Sequence, residues 1–367
     1  MLEPVRQYAR DLLEMRGEAP EAQRRHAHHF LVLAERARSE LRRPRQVQWL
    51  ETLERENANL RAAMGWSLDE DFETASRLGW ALWGFWVLRD HQREGYQLAR
   101  ALLARDIPAA MRPRAVFTAC ITAWTQGDLD AVETTYSAEA LESSRRSGDD
   151  LCAAYALWAM GVVAMNRGDH AKATSCLQES LSIFDRMDEE GMGPMARFWL
   201  GTAAFTQGAQ DRAVALFEGA LEMARKRGDR IAPYSTLFNL ARVALAGGEN
   251  AEADRMLREA VALSAEVGPR ANVAYLLEGL AAAAEALGEF ERSARLIGEA
   301  EGLLLTVDEA PYYKEYKPNL SLRDRTTAAL RSRLGKTAFE KCRTEGRAMT
   351  LEQTVAYALE DNEASSK

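Results

Sequence analysis

This chain of 367 residues is short of cysteine, of strand-forming stretches and of basic charge, and each shortage excludes something. Its four cysteines, Cys120, Cys152, Cys176 and Cys342, share no paired spacing, so they build neither a disulfide framework nor a thiolate zinc site. Strand signals are nearly absent, and Ala, Leu, Glu and Arg, all strong helix formers, dominate instead. The longest fully apolar run, Leu78 to Leu88, is too short to cross a bilayer. No secretory leader pattern opens the chain, which together with the cysteine usage predicts reduced thiols in a cytoplasm. The formal net charge of −8 argues against general affinity for nucleic acid.

Catalytic signatures are missing as well. Gly335-Lys336-Thr337 resembles the end of a phosphate-binding loop. That loop needs a glycine five residues earlier, where Leu330 stands, and a preceding strand, where a helix is expected. His26, His28 and His29 cluster, with His26 and His29 on one helical face, yet no Cys, Asp or Glu nearby completes a metal site. A solvated helix face is the expected outcome there. No nucleophile motif or paired-carboxylate signature stands out. The chain reads as a non-enzyme with no cofactor and no metal.

What is present is a rhythm. Gly127, Gly168, Gly208, Gly248 and Gly288 follow one another at spacings of 41, 40, 40 and 40 residues. A fixed period of this length marks a stacked repeat array. Four residues before each glycine stands an alanine: Ala123, Ala164, Ala204, Ala244 and Ala284. Seven before, the residue is small: Cys120, Gly161, Gly201, Ala241 and Ala281. Nine after, it is large: Tyr136, Leu177, Phe217, Leu257 and Ile297. Each glycine therefore separates two helices, the first with a flat strip of small residues and the second with a bulky residue to lay on it.

These columns resemble the tetratricopeptide repeat, lengthened from its usual 34 residues to about 40. Arg197 departs from a column otherwise held by Val116, Leu157, Leu237 and Leu277. The resemblance implies an all-α, right-handed α-solenoid of helical hairpins. Such a fold extends one continuous core rather than splitting into several, and it presents a long surface for binding.

The flanks also read as helical. Pro20–Leu41 and Val47–Leu68 form two expected helices broken near Pro44, and Phe72–Leu88 with Arg93–Leu103 form another pair. Beyond an irregular link at Pro311–Pro318, three short helices are expected at Arg323–Leu334, Ala338–Glu345 and Leu351–Leu359, with a disordered tail after Glu360. Three regions follow: 1–107, an N-terminal helical region after a winged-helix-like segment; 108–310, the array; and 311–367, a C-terminal cap and tail that covers the last apolar face.

A second resemblance rests on these flanks. Leu2-Glu-Pro-Val-Arg-Gln-Tyr-Ala9, Glu56-Asn-Ala-Asn-Leu-Arg-Ala-Ala63 and Leu82-Trp-Gly-Phe-Trp-Val-Leu88 are similar to segments of bacterial STAND-type signalling ATPases, many of them LuxR-like transcription regulators. So are Leu334-Gly-Lys-Thr-Ala-Phe339 and Glu345-Gly-Arg-Ala-Met-Thr-Leu-Glu352. The likeness spans nearly the whole chain but only the part downstream of the ATPase, so Met1 is expected to be the edge of a piece or of a shortened protein. In that family this part is the sensor, receiving a ligand or protein partner. A free-standing scaffold that bridges two proteins is the alternative.

One constellation points to a binding surface. Ten residues before each glycine sit Phe117, Trp158, Phe198, Phe238 and then Glu278; three before sit Trp124, Met165, Phe205, Leu245 and then Glu285. Seven apart, the two columns share one helical face. Phe117, Trp124, Trp158, Met165, Phe198, Phe205 and Phe238 would form an apolar ladder in the concave groove. Arg242, Glu278 and Glu285 would make its polar end. The expected occupant is a protein or peptide, or a small-molecule effector, and neither nucleic acid nor membrane. The same ladder could instead be core, and both readings stand open here. Trp80, Trp83 and Trp86, stepping along one helix, are expected to pack as a core stripe. Arg36, Arg38, Arg42, Arg43 and Arg45, interleaved with Glu35 and Glu40, are expected to form a solvated face.

Overall fold

Each repeat glycine solves the same backbone problem. A computed structural model describes residue 8 and residues 11–187, 191–268, 270–306 and 317–360, with side chains from 321 in the last stretch. In it Gly127, Gly168, Gly208, Gly248 and Gly288 all adopt left-handed φ between 77° and 85°, which a side chain disfavours. At every one of them the next residue's N–H donates to the alanine carbonyl four residues before the glycine: Asp128 to Ala123, Asp169 to Ala164, Ala209 to Ala204, Glu249 to Ala244 and Glu289 to Ala284. The glycine's own N–H reaches the carbonyl three residues back. This is the Schellman closure, repeated five times, and it turns the chain into the second helix.

The hairpins pair Arg112–Thr125 with a helix ending at Ser147, Asp150–Arg167 with His170–Met187, and Gly193–Thr206 with Gln210–Arg227. Ile231–Gly247 then pairs with Asn250–Val267, and Arg270–Ala286 with Phe290–Thr306. The small and large columns meet as their spacing requires. A Cβ on Gly161 would lie 2.6 Å from Leu177, and one on Gly201 would lie 2.6 Å from Phe217. Arg197 holds its odd position by a double hydrogen bond to Asp185, at 3.0 Å on each side.

The spacing of 41 has a structural cause. The second helix of the Gly127 hairpin carries a π-helical turn at Val132–Tyr136. Beyond it the buried Ala140 lies thirteen residues after its glycine, while Ser180, Ala220, Ala260 and Ala300 lie twelve after theirs. The π-turn absorbs one extra residue and restores the packing face.

Before the array, Phe72–Leu88 and Gln92–Leu103 form a further hairpin that stacks on Arg112–Thr125. Trp80 and Trp83 pack edge-on against Phe117 and Tyr155 at that junction, and Trp86 lies over Gly95. Ala19–Glu40 runs across Phe72–Leu88. The stretch expected as one helix from Val47 to Leu68 is instead two, Gln46–Arg55 and Asn57–Glu70, with no glycine or proline at the break.

Residues 41–46 then do something that helix periodicity does not reveal. They reach the turn between the Gly208 and Gly248 hairpins. Arg42 pairs with Asp229 at 3.4 Å, and the buried Gln46 accepts from the Arg230 N–H at 2.7 Å while its amide lies 3.5 Å from Asp229. Pro44 abuts Gly228, where an added Cβ would come within 2.6 Å. The solenoid is thereby closed by its own N-terminal region.

At the other end, Lys317–Arg347 forms two helices joined at Gly335, whose φ of 74° and ψ of 160° are not helical. They coincide with the first two helices expected there, and Leu351–Leu359 follows as the third. The second of them meets the backbone of Phe290–Thr306 directly. A Cβ on Gly298 would lie 2.0 Å from the Arg343 carbonyl oxygen, and one on Gly346 would lie 2.1 Å from that of Arg295. Glu301 receives Arg343 at 2.8 Å and Arg347 at 2.5 Å. The expected link at Pro311–Pro318 falls mostly, and the tail after Glu360 wholly, outside the described residues. Among the described residues no helix is long and apolar enough to cross a membrane.

Candidate functional site

The first helices of the hairpins line the inner face of the solenoid, and the closing N-terminal segment roofs part of it. Between them lies a cavity of about 170 Å³, open on one side. Its walls are aromatic. Trp124 stands edge-to-face with Trp158 at 5.8 Å and with Trp199 at 6.1 Å, and Phe238 stands edge-to-face with Tyr275 at 4.6 Å. Arg38 and Arg42 enter from the N-terminal segment, while Tyr234, Asn239 and Asn272 enter from the fourth and fifth hairpins. Among the described residues no aspartate, glutamate or lysine lines the cavity.

Four of the ten residues expected in a groove meet here: Trp124, Trp158, Phe198 and Phe238. The other six lie elsewhere. Phe117 is wholly buried behind the wall, against Trp80, Trp83 and Tyr155. Met165 is buried, and Phe205 and Arg242 stack on each other at 4.9 Å outside the cavity. Glu285 is half-exposed near the end of its helix. Glu278 lies beneath the C-terminal helix, 3.5 Å from Arg323, with burial pushing its carboxyl up to about 7.

The reason is geometric. Positions three before the glycine sit beside the hairpin turn, and of that column Trp124 alone reaches the cavity. The residues that join the ladder at ten before are those at thirteen before, Tyr155, Met195 and Tyr275, one helical turn towards the N-terminus. That column is mixed, with Arg114 and Ser235 at its other two places, so the spacing alone does not single it out. Arg38 and Arg42 were not readable, because their inward placement depends on tertiary contacts, of Arg42 with Asp229 and of Arg38 with Trp80. The basic run is thus divided: Arg36, Arg43 and Arg45 are exposed, whereas Arg38 sits over the Trp80 indole at 4.8 Å and Arg42 is largely buried.

Two polar features of the walls bear on chemistry. The indole N–H groups of Trp158 and Trp199 are buried without a hydrogen-bond acceptor. Asn272 donates to the Tyr234 hydroxyl at 2.8 Å, and burial pushes that hydroxyl up to about 12, so it stays neutral. The thiols near the wall are inert, since burial raises both Cys120 and Cys152 well above the ordinary cysteine range. His26 and His29 rest against Phe30, and no group of three metal-ligating side chains occurs among the described residues. Gly335-Lys336-Thr337 lies at the break between the two C-terminal helices.

No known family model matches the sequence, and no curated protein matches it. Solved structures do. A Rap protein complexed with Competence and Sporulation Factor is 11% identical, with 84% of this chain and 99% of that one covered at a TM-score of 0.51. BtubC (BKLC) from P. vanneervenii is 17% identical, with 59% of this chain and 89% of that one covered at a TM-score of 0.45. A putative kinesin light chain with TPR-like repeats from Podosopora anserina is 17% identical, covering 54% of this chain and 96% of that one at a TM-score of 0.40. At such identities the likeness is one of fold, and that of the Rap protein agrees with the helical architecture described above.

Proposed function

We propose that this chain is a non-enzymatic sensor and interaction module, and that an effector or partner seated on its concave face is read out through its N-terminal region. One observation carries this reading. The same cavity is walled by first-helix residues of the array and by Arg38, Leu41 and Arg42 of the N-terminal segment, so an occupant touches both. An occupant that favours the closed contact between residues 41–46 and Asp229 shifts the balance between closed and open N-terminal arrangements. The Rap protein of like fold, known in complex with Competence and Sporulation Factor, is compatible with this use of the fold. The resemblance of the flanks to STAND-type regulators supplies a natural recipient for the signal, an ATPase joined on the N-terminal side.

Native mass spectrometry of the protein isolated from its own cells tests the proposal. A bound species that is lost when Trp199 is replaced by Asp is the expected result. A protein that never carries a species on the concave face, yet holds two other proteins at its ends, favours the scaffold alternative and sinks the sensor reading. A Walker-type ATPase encoded in frame upstream of Met1 would favour the STAND regulator over any other sensor.

A further inference from the structure

Resting on the reading of the concave cavity as an effector site, we infer that its effector is a small aromatic carboxylate. Size comes first. A cavity of about 170 Å³, open on one side, takes one or two fused rings; an apolar cavity of roughly 150 Å³ already accommodates benzene. The shape of the wall comes next. Trp124, Trp158 and Trp199 meet at steep mutual angles of 70° and 78°, so ring edges and faces converge from several directions. Such a slot favours a flat ring held by edge-to-face contacts over a flexible acyl chain.

Charge then selects the head group. Two guanidinium groups and no carboxylate line the cavity. Asp229 offsets Arg42 from outside the wall, and it also accepts the Ile231 N–H at 2.8 Å. Arg38 contributes its charge beside Trp80 on the other flank. A carboxylate suits a guanidinium because it accepts two parallel hydrogen bonds, and the bond gains strength where water is excluded. A cationic effector would meet two like charges, Arg38 and Arg42, and a neutral apolar one would leave both without a new partner.

The test compares 2-naphthoate with its neutral counterpart 2-naphthamide on the full chain, by calorimetry and by quenching of tryptophan fluorescence. Naphthoate should bind saturably and roughly tenfold or more tighter than the amide, as a charge-assisted bond implies. Arg38→Met, which keeps the apolar stem, should bring the two probes to parity. Trp158→Leu, which removes one aromatic wall of the cavity, should weaken naphthoate and naphthamide alike while circular dichroism stays unchanged. The comparison of the two probes on the unaltered protein needs no variant, so it stands even if a substitution disturbs folding. Equal binding of the two probes, or a naphthoate preference that survives Arg38→Met, overturns the carboxylate. Binding of neither probe, by a protein that still carries a native species on its concave face, overturns the aromatic class and leaves the sensor reading intact. If no species of any kind occupies that face, the sensor reading fails with it.

Discussion

Glu299 is the least comfortable residue in the molecule. It is 1% exposed and neither carboxyl oxygen has a hydrogen-bond partner. Burial pushes its carboxyl up to about 8, with Arg292 and Arg295 opposing, and Tyr357 of the cap faces it. A folded value above the unfolded one, about 4.3, means that the native state holds the extra proton. The associated stability is full at low pH and is lost as pH climbs from about 5 through about 8. Glu278 works in the same direction, so Glu299→Gln should flatten that loss rather than abolish it. Thermal melts at pH 4.5 and pH 8.5 should show the variant gaining several degrees at the higher pH only; parallel profiles for the two proteins would refute the assignment. The glycines give a second contrast at this scale. Gly201→Ala drives a methyl into Phe217 and should cost about 1–3 kcal/mol. Gly219→Ala, within a helix and with nothing nearby, should gain about 0.5–1 kcal/mol. Urea titrations of the two variants should move in opposite directions.

Among the elements, the π-turn is the one whose removal should do no harm. Thr134 is exposed within Val132–Tyr136, and deleting it returns the first period to 40 residues. The expected product folds with an unchanged or higher Tm. Deleting Val214 from the regular Gly208 hairpin should instead rotate every later residue of that helix off its packing face and lower the Tm sharply. Equal damage from the two deletions would show that the turn is more than an absorbed insertion. The cap offers the opposite case. Removing residues from Ser321 onward uncovers Gly298 and Gly302 on Phe290–Thr306, together with the apolar residues around them. Because each repeat leans on its neighbours, the last hairpin should fray first. Hydrogen exchange should then lose protection around Gly288 while the Gly168 hairpin keeps it, and the truncated chain should aggregate. A monomeric product with undiminished protection there would remove the capping role.

For the molecule as a whole, the decisive contact joins residues 41–46 to the turn at Asp229. Asp229→Ala removes the acceptor of Ile231 and the partner of Arg42. Hydrogen exchange should rise in residues 38–46 and 229–231, and small-angle scattering should show an expanded particle, while the Gly168 hairpin is unaffected. Unchanged exchange in residues 38–46 would mean that packing of Pro44 on Gly228 holds the closure without the polar contacts. The ladder belongs to this scale too. Trp158 and Phe198 are both less than a tenth exposed, yet both line the cavity. Core and groove, opposed in the sequence, are two sides of one wall here. Conservative ring exchanges therefore separate binding from stability better than truncation to alanine does.

The amino-acid sequence by itself determined the repeat. Glycines that need left-handed φ, alanines whose carbonyls close the turns, and small-against-large columns are all local or neighbouring-helix requirements, so they recur at a fixed spacing and can be counted. The insertion absorbed by the π-turn was legible too, as the single spacing of 41. Tertiary structure alone decided where the solenoid closes. The pairing of Arg42 and Gln46 with residues nearly two hundred positions away leaves no periodic trace, yet it turns two arginines of a charged stretch into the polar side of a cavity. It was likewise the placement of the C-terminal helix that buried Glu278, the expected polar end of the ladder, under Arg323. Periodicity specifies which face of a helix is apolar; only the winding of the whole array specifies what that face will meet.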